Sequence, residues 1–203
     1  LASLVTSGNV SLTAGNGAIA DANGTATNVA ASGLVAASTA GIDLDTAVTT
    51  AAATVSAAGA ITLDEADGAT FTNVTTADGA VTITSGGTMN AVNVVADGAS
   101  RDVTIGTTAG DLVVDLVEAK HGNVNLTAAG RILENPDADV DVAGATVNLN
   151  AGTGIGTGAE ALELSADVLN AATSTGGIYL TEANGITLNS VVAQHGDVRL
   201  INL

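Results

Sequence analysis

Pairs of apolar residues separated by one polar residue recur about every ten positions along this chain, usually just after a glycine. Such alternation is typical of a half-buried β-strand, whose successive side chains point to opposite faces. Regular spacing between strands of this kind is typical of a repeat architecture. Fourteen pairs can be identified: Val10/Leu12, Ile42/Leu44, Ile61/Leu63, Val81/Ile83, Val92/Val94, Val103/Ile105, Val114/Leu116, Val124/Leu126, Val140/Val142, Val147/Leu149, Leu162/Leu164, Ile178/Leu180, Ile186/Leu188 and Val198/Leu200.

The spacing of these pairs gives the size of the repeat. One series begins 19, 20, 22, 21 and 23 residues apart, at Ile42, Ile61, Val81, Val103, Val124 and Val147. Other pairs fall between these positions, so one repeat of about 20–22 residues contains at least two strands, as in solenoid proteins.

Two all-β architectures fit short strands at this spacing. A β-sandwich needs about seven strands per ~100 residues and usually a core aromatic, but the chain has one Phe, one Tyr and no Trp in 203 residues. A parallel β-helix stacks one coil on the next and tolerates small interior side chains. We therefore predict a single β-solenoid of nine to ten coils over residues 1–203, roughly 45 Å long. Val81, Val103 and Val124 should stack inward in successive coils.

Charge and composition exclude several classes of function. The chain has 21 acidic and four basic residues, a formal net charge of −17, so it lacks the basic surface that nucleic acids require. An anionic membrane surface would repel it, and no apolar run reaches the ~18 residues of a membrane span. There is no cysteine, which excludes disulfides and thiolate metal sites and suits a secreted protein.

Four segments carry a resemblance to a known family. Residues 122–132, 147–156, 162–166 and 176–182 are similar to the repeats of filamentous haemagglutinin-like bacterial exoproteins, most clearly within 103–203. The resemblance implies a right-handed parallel β-helix shaft that is secreted to the cell surface and serves adhesion or biofilm. The family's Asn-Pro-Asn-Gly secretion signature is absent, and Asn135-Pro136-Asp137 does not match it.

Neither end of the sequence contains a proline, a capping helix or a charged shield, and an uncapped β-helix exposes unpaired backbone groups. We therefore expect a fragment of a longer repetitive polypeptide, whose edges are continued by further coils or by self-association, end-to-end or lateral.

Two groups of carboxylates are the candidates for chemistry. One comprises Asp64, Glu65 and Asp67; the other comprises Glu134, Asp137, Asp139 and Asp141. The alternation Asp137-Ala138-Asp139-Val140-Asp141 would place three carboxylates on one strand face, where hard oxygen ligands suit Ca²⁺. The alternative is a solvated acidic face, which we prefer. Ca²⁺ should then change stability little, and no cofactor is expected.

Two further residue sets have structural interpretations. His121 and His195 lie 74 residues apart in similar decapeptides. They form either a metal or pH-sensing pair or, as we prefer, repeated turn residues ~15 Å apart. Asn73, Asn90, Asn123 and Asn148 are expected to form partial ladders inside or beside the coils.

These observations favour a structural function. We expect a shaft- or filament-forming segment of a secreted bacterial surface protein, outside the cell. The alternative is an adhesin module that recognises a glycan or another cell through its outer face, and long insertions on one face would favour it. A polysaccharide-cleaving β-helix enzyme is the remote alternative. Its paired carboxylates would need a separation of ~5–9.5 Å across a sugar. A carbohydrate cleft would also normally present stacking aromatics, and Tyr179 alone cannot line one, so we do not expect an enzyme.

Overall fold

A computed structural model describes residues 1–137 and 139–203, and its regular structure in these residues is entirely β-strand. No helix long and apolar enough to cross a membrane occurs in these ranges. The strands are β1 (Leu4–Val5), β2 (Asn9–Ala14), β3 (Val29–Ser38), β4 (Ile42–Ala58), β5 (Ile61–Glu65), β6 (Thr70–Asp78), β7 (Val81–Ser85), β8 (Met89–Ala96), β9 (Val103–Thr107), β10 (Leu112–Ala119), β11 (Val124–Ala128), β12 (Arg131–Glu134), β13 (Val142–Ala151), β14 (Gly154–Ile155), β15 (Leu162–Thr173), β16 (Ile178–Glu182), β17 (Thr187–Ala193) and β18 (Val198–Asn202).

The strands pair in parallel, each with strands about one coil earlier and later in the chain. Nine aligned positions follow one another along the axis: Ile19, Ile42, Ile61, Val81, Val103, Val124, Val147, Leu169 and Leu188. The steps between them are 19 to 23 residues. The predicted β-solenoid is therefore confirmed, with about nine turns.

Inward side chains from three faces of the coil form the core, and we number the faces in chain order, each identified by one of its inward columns. The first face contains Val81, Val103 and Val124, which are fully buried and aligned as predicted. The second contains the column Phe71, Ala91, Val114, and the third contains Val74, Val94, Val117. Most coils repeat these positions with small aliphatic residues, which fill a long and narrow interior, but Glu134 takes the position aligned with Val114 and Leu188 of the last coil is half exposed.

Some predicted pairs are wrong because the coil bends between the second and third faces. At each bend two consecutive residues point outward, as Val92-Asn93 and Asp115-Leu116 do. Val92 and Leu116 therefore do not face the core as predicted. Val140 is also misassigned, since it lies in the loop before β13.

Glycines occupy corners where consecutive coils approach closely. A Cβ atom on Gly79 would lie 1.9 Å from the carbonyl oxygen of Gly59, one coil earlier. No side chain fits at that distance, so the recurrent glycine before a strand reflects the close contact of coils.

Asparagine side chains form a ladder on the outside of the first face. Asn148 donates to Asn125, Asn170 donates to Asn148, and Asn189 donates to Asn170, at 2.7–2.8 Å. Of the four predicted ladder residues, Asn148 belongs to this ladder and Asn73 accepts from Asn93 at 2.7 Å. Asn90 and Asn123 instead donate to Thr70 and Asp102, so the prediction is confirmed only in part.

The core accommodates its one phenylalanine by placing small residues above and below it. Phe71 is fully buried, and its aligned neighbours in the adjacent coils are Ala51 and Ala91. The aromatic ring thus occupies space that these two alanines leave free.

Replacing Phe71 by alanine should leave three small residues in one column and destabilise the protein by about 3–5 kcal/mol. Adding Ala91→Leu to Phe71→Ala should restore part of this loss, whereas Ala91→Leu alone should overpack the column and cost about 1–3 kcal/mol. Equilibrium denaturation measures all three. Val92→Ala, at an outward position, is the control; an equal effect there would contradict the column.

Candidate functional site

The second group of candidate carboxylates does not lie on one strand face. Strand β12 ends at Glu134 and β13 begins at Val142, and residues 135–137 and 139–141 are not strand. Residue 138 of the alternating stretch lies outside the described residues. Asp137 and Asp139 are exposed, and the Asp139 N–H donates to Asp137 Oδ1 at 2.8 Å in a local turn. Pro136 explains the interruption because it cannot donate a ladder hydrogen bond.

The structure instead brings Asp141 together with two other acids, Glu134 and Glu163. Carboxylate oxygens of these three residues lie within 4.8 Å of one another. Asp141 is fully buried, Glu134 is 7% exposed and Glu163 is half-buried. We call this group the carboxylate cluster.

Backbone hydrogen bonds fix the cluster. Glu134 occupies the inward position aligned with Val114 of β10. The Val117 N–H donates to the Asp141 carbonyl at 2.7 Å, which holds the far end of the loop against the same strand. The next coil supplies Glu163, whose N–H donates to Asp141 Oδ2 at 2.8 Å.

The cluster is electrostatically unfavourable when all three groups are ionised. Glu134 Oε2, Asp141 Oδ1 and Glu163 Oε2 are buried and have no hydrogen-bond partner. Burial, with the neighbouring Glu163 carboxylate, raises the pKa of Glu134 to about 9 and that of Asp141 to about 8. The two ion pairs within the described part of the chain, Arg101–Asp78 and Lys120–Asp97, involve none of the three acids. The cluster can therefore retain protons or hold a cation.

Two insertions lie at the corner that carries the cluster. Residues 135–141 separate β12 from β13, and residues 156–161 separate β14 from β15 one coil later. Register places both between the second and third faces, because Ile132 aligns with Ile155 and Val142 with Leu164. The two longer connections therefore lie at the same corner of successive coils.

The first group of candidate carboxylates, Asp64, Glu65 and Asp67, also does not share one face. Asp64 and Asp67 are exposed, while Glu65 points inward and is 4% exposed. Glu65 accepts hydrogen bonds from the Thr46 hydroxyl at 2.6 Å and the Val48 N–H at 3.2 Å. Burial raises its pKa, yet its hydrogen bonds indicate a structural role at the corner.

A second buried glutamate, Glu182, has the same role and was not identified from the sequence. Its Oε1 accepts from the Ala166 and Asn184 N–H groups at 3.3 Å, but its Oε2 has no partner. A repeated motif provides the missed signal: residues 63–68 read Leu-Asp-Glu-Ala-Asp-Gly and residues 180–185 read Leu-Thr-Glu-Ala-Asn-Gly.

The two histidines lie at different corners. His121 precedes Val124 of the first face, whereas His195 precedes Val198, which aligns with Ile178 on the second. The two similar decapeptides, 74 residues apart, therefore do not place their histidines at equivalent positions in the coil. His121 lines an open polar depression of about 450 Å³ together with Glu118 and Asp167.

Compared with known proteins, the chain matches no family model, no curated protein and no solved structure.

Replacing Thr46 by valine should leave Glu65 Oε2 without its hydroxyl donor and destabilise the protein by about 1–3 kcal/mol at neutral pH. Thr76→Val is a matched control, because its hydroxyl donates to the neutral carbonyl of Gly79 at 2.6 Å. Urea unfolding of both variants measures the difference. An effect no larger than the control's would show that Glu65 does not depend on this bond.

Stability should depend on pH through the carboxylate cluster when divalent cations are chelated. The folded protein holds protons on Glu134 and Asp141 more tightly than the unfolded chain does. In the unfolded chain the pKa of Glu134 is near 4.5 and that of Asp141 is near 3.8. Their stabilising effect is therefore fully present below about pH 4 and is lost progressively as pH rises to about 9. Asp141→Asn should flatten this slope in thermal unfolding between these limits. An unchanged slope would contradict the assignment.

Proposed function

We propose that this chain is a shaft segment of a secreted bacterial surface protein, one that spaces or projects other parts of the molecule outside the cell. The observation that carries the proposal is the unbroken parallel register from Ile19 to Leu188. A fold in which each coil contacts only its neighbours gains length by adding coils, without needing a larger core.

Composition supports the extracellular part of the proposal. A net charge of −17 and the lack of cysteine suit an exposed surface protein that must resist sticking and oxidation. The resemblance of residues 122–132 to haemagglutinin-like repeats is the reason for including secretion, and adhesion or biofilm formation at the cell surface, in the proposed function.

Self-association of the chain, end-to-end or lateral, is part of the same proposal. Sedimentation of the purified chain at rising concentration tests it.

Deleting one complete coil tests the shaft function. Removal of residues 81–102 joins Ala80 to Val103, which aligns with Val81, so the column stays in register and the rod should shorten by about 4.8 Å. Small-angle scattering measures the length, and circular dichroism should show unchanged strand structure. Removal of residues 81–91 is the control, since half a coil breaks the register and should unfold or aggregate the protein. If the whole-coil deletion behaves like this control, the coils are not interchangeable units and the shaft proposal fails.

A second candidate function is supported by the two insertions at one corner. Loops that project from a rigid scaffold often carry recognition, so this corner is the proposed surface of an adhesin module for a glycan or another cell. Replacing residues 156–161 by a short glycine-serine linker should abolish adhesion to target cells while leaving the rod length unchanged. Equal adhesion of the variant and the parent chain would remove this candidate.

A further inference from the structure

We propose that Glu134, Asp141 and Glu163 bind one Ca²⁺ ion at the corner between the second and third faces. The three residues converge from β12, the end of loop 135–141, and β15, and their oxygens lie within 4.8 Å of one another. Calcium takes oxygen ligands at about 2.3–2.6 Å, so two oxygens on opposite sides of the ion lie up to about 5 Å apart. The spacing of the three carboxylates is thus compatible with one ion between them.

Unpaired oxygens inside the protein are the independent observation that points to a ligand. Asp141 is fully buried and Glu134 is more than nine-tenths buried, and each keeps one carboxylate oxygen without a hydrogen-bond partner. Buried polar atoms are nearly always paired, because leaving one unpaired costs the full desolvation of the group. By contrast, both carboxylate oxygens of the buried Glu65 accept hydrogen bonds. Glu182 also keeps one unpaired oxygen, but among the described residues it belongs to no group of three acids that one ion could join. The free oxygens of the cluster are thus available to a cation.

The donor set selects the kind of cation. All three ligands are carboxylates, which suits hard cations rather than zinc or copper, whose sites favour imidazole and thiolate. The group supplies three protein carboxylates, so water or carbonyl oxygens must complete the shell of a bound ion. Calcium accepts irregular geometry and completes its shell with water or carbonyl oxygens, whereas magnesium requires a near-ideal octahedron. Calcium is therefore the favoured ion.

A bound ion would join the two insertions of the corner. Glu134 and Asp141 flank loop 135–141, and Glu163 lies two residues after loop 156–161. One ion would tie the bases of both loops to a single point and hold them in one arrangement. This site differs from the sequence-predicted set, of which it retains Asp141 but neither Asp137 nor Asp139.

Calcium binding to the full chain, first freed of metal by chelation, tests the proposal. Isothermal titration should show one Ca²⁺ per chain, with a dissociation constant at or below the ~10⁻⁴–10⁻³ M typical of extracellular calcium sites. Added Ca²⁺ should raise the midpoint of thermal unfolding in proportion to the logarithm of its concentration above that constant. Glu134→Gln and Asp141→Asn should each weaken binding at least tenfold and remove most of the shift.

Two control variants distinguish Ca²⁺ binding at this site from nonspecific attraction of Ca²⁺ to an acidic protein. Asp139→Asn removes an exposed acid of the same loop, and Glu182→Gln removes a buried acid outside the cluster; both should bind Ca²⁺ like the parent chain. If these controls weaken binding as much as the cluster variants do, the effect is nonspecific and the proposal is wrong. Absence of binding at several millimolar Ca²⁺, or tighter binding of Mg²⁺ than of Ca²⁺, would also overturn it. If a cluster variant fails to fold, Glu163→Gln, at the half-buried position, provides the same comparison.

Discussion

Alignment of each inward side chain with the equivalent position in the coils before and after it is the constraint on which this structure depends. Parallel pairing sets neighbouring strands about 4.8 Å apart, so an inward residue has two fixed neighbours along the axis. Phe71 is tolerated because alanines lie on both sides of it. Gly79 is required because the backbone of the previous coil occupies the space where a side chain would lie. Core composition and corner glycines thus follow from one geometric rule.

Buried acids show how the same rule acts on charge. A carboxylate in an inward position can be satisfied only by groups of its own or an adjacent coil. Glu65 meets this condition because Thr46, its aligned neighbour, supplies a hydroxyl. Glu182 meets it only in part, since its aligned neighbour is Leu164. At the carboxylate cluster, Glu163 of the next coil donates its N–H to Asp141 Oδ2, but its own carboxylate adds a third acid within 4.8 Å, so the adjacent coil contributes repulsion as well as a hydrogen bond.

The sequence predicted the features that repeat and missed those that depend on a bend or an insertion. Alternation and a 20-residue step were sufficient for the β-solenoid and for the stacking of Val81, Val103 and Val124. The inward and outward positions of Val92 and Leu116 were not predictable from alternation, because two outward residues at each bend shift the phase. The cluster was missed because local patterns join Asp141 to Asp139, two residues away. Its actual partner, Glu163, lies 22 residues on, the same step that separates Val147 from Leu169. Comparing residues one coil apart would have found this pair.

Similar segments occupy different faces of the coil, which indicates that the local unit of this fold is smaller than one turn. The Leu-x-Glu-Ala-Asp/Asn-Gly motif closes the first face at Glu65 but leads into the first face at Glu182. In both places the glutamate accepts an N–H from the preceding coil, at Val48 and at Ala166. The motif therefore encodes a strand followed by a corner, whichever face it forms. A chain built from such units can keep its register while one corner accepts longer loops, because the strands on either side are held by their own neighbours along the axis. Continuous inward columns and longer connections at a corner are thus compatible within one solenoid.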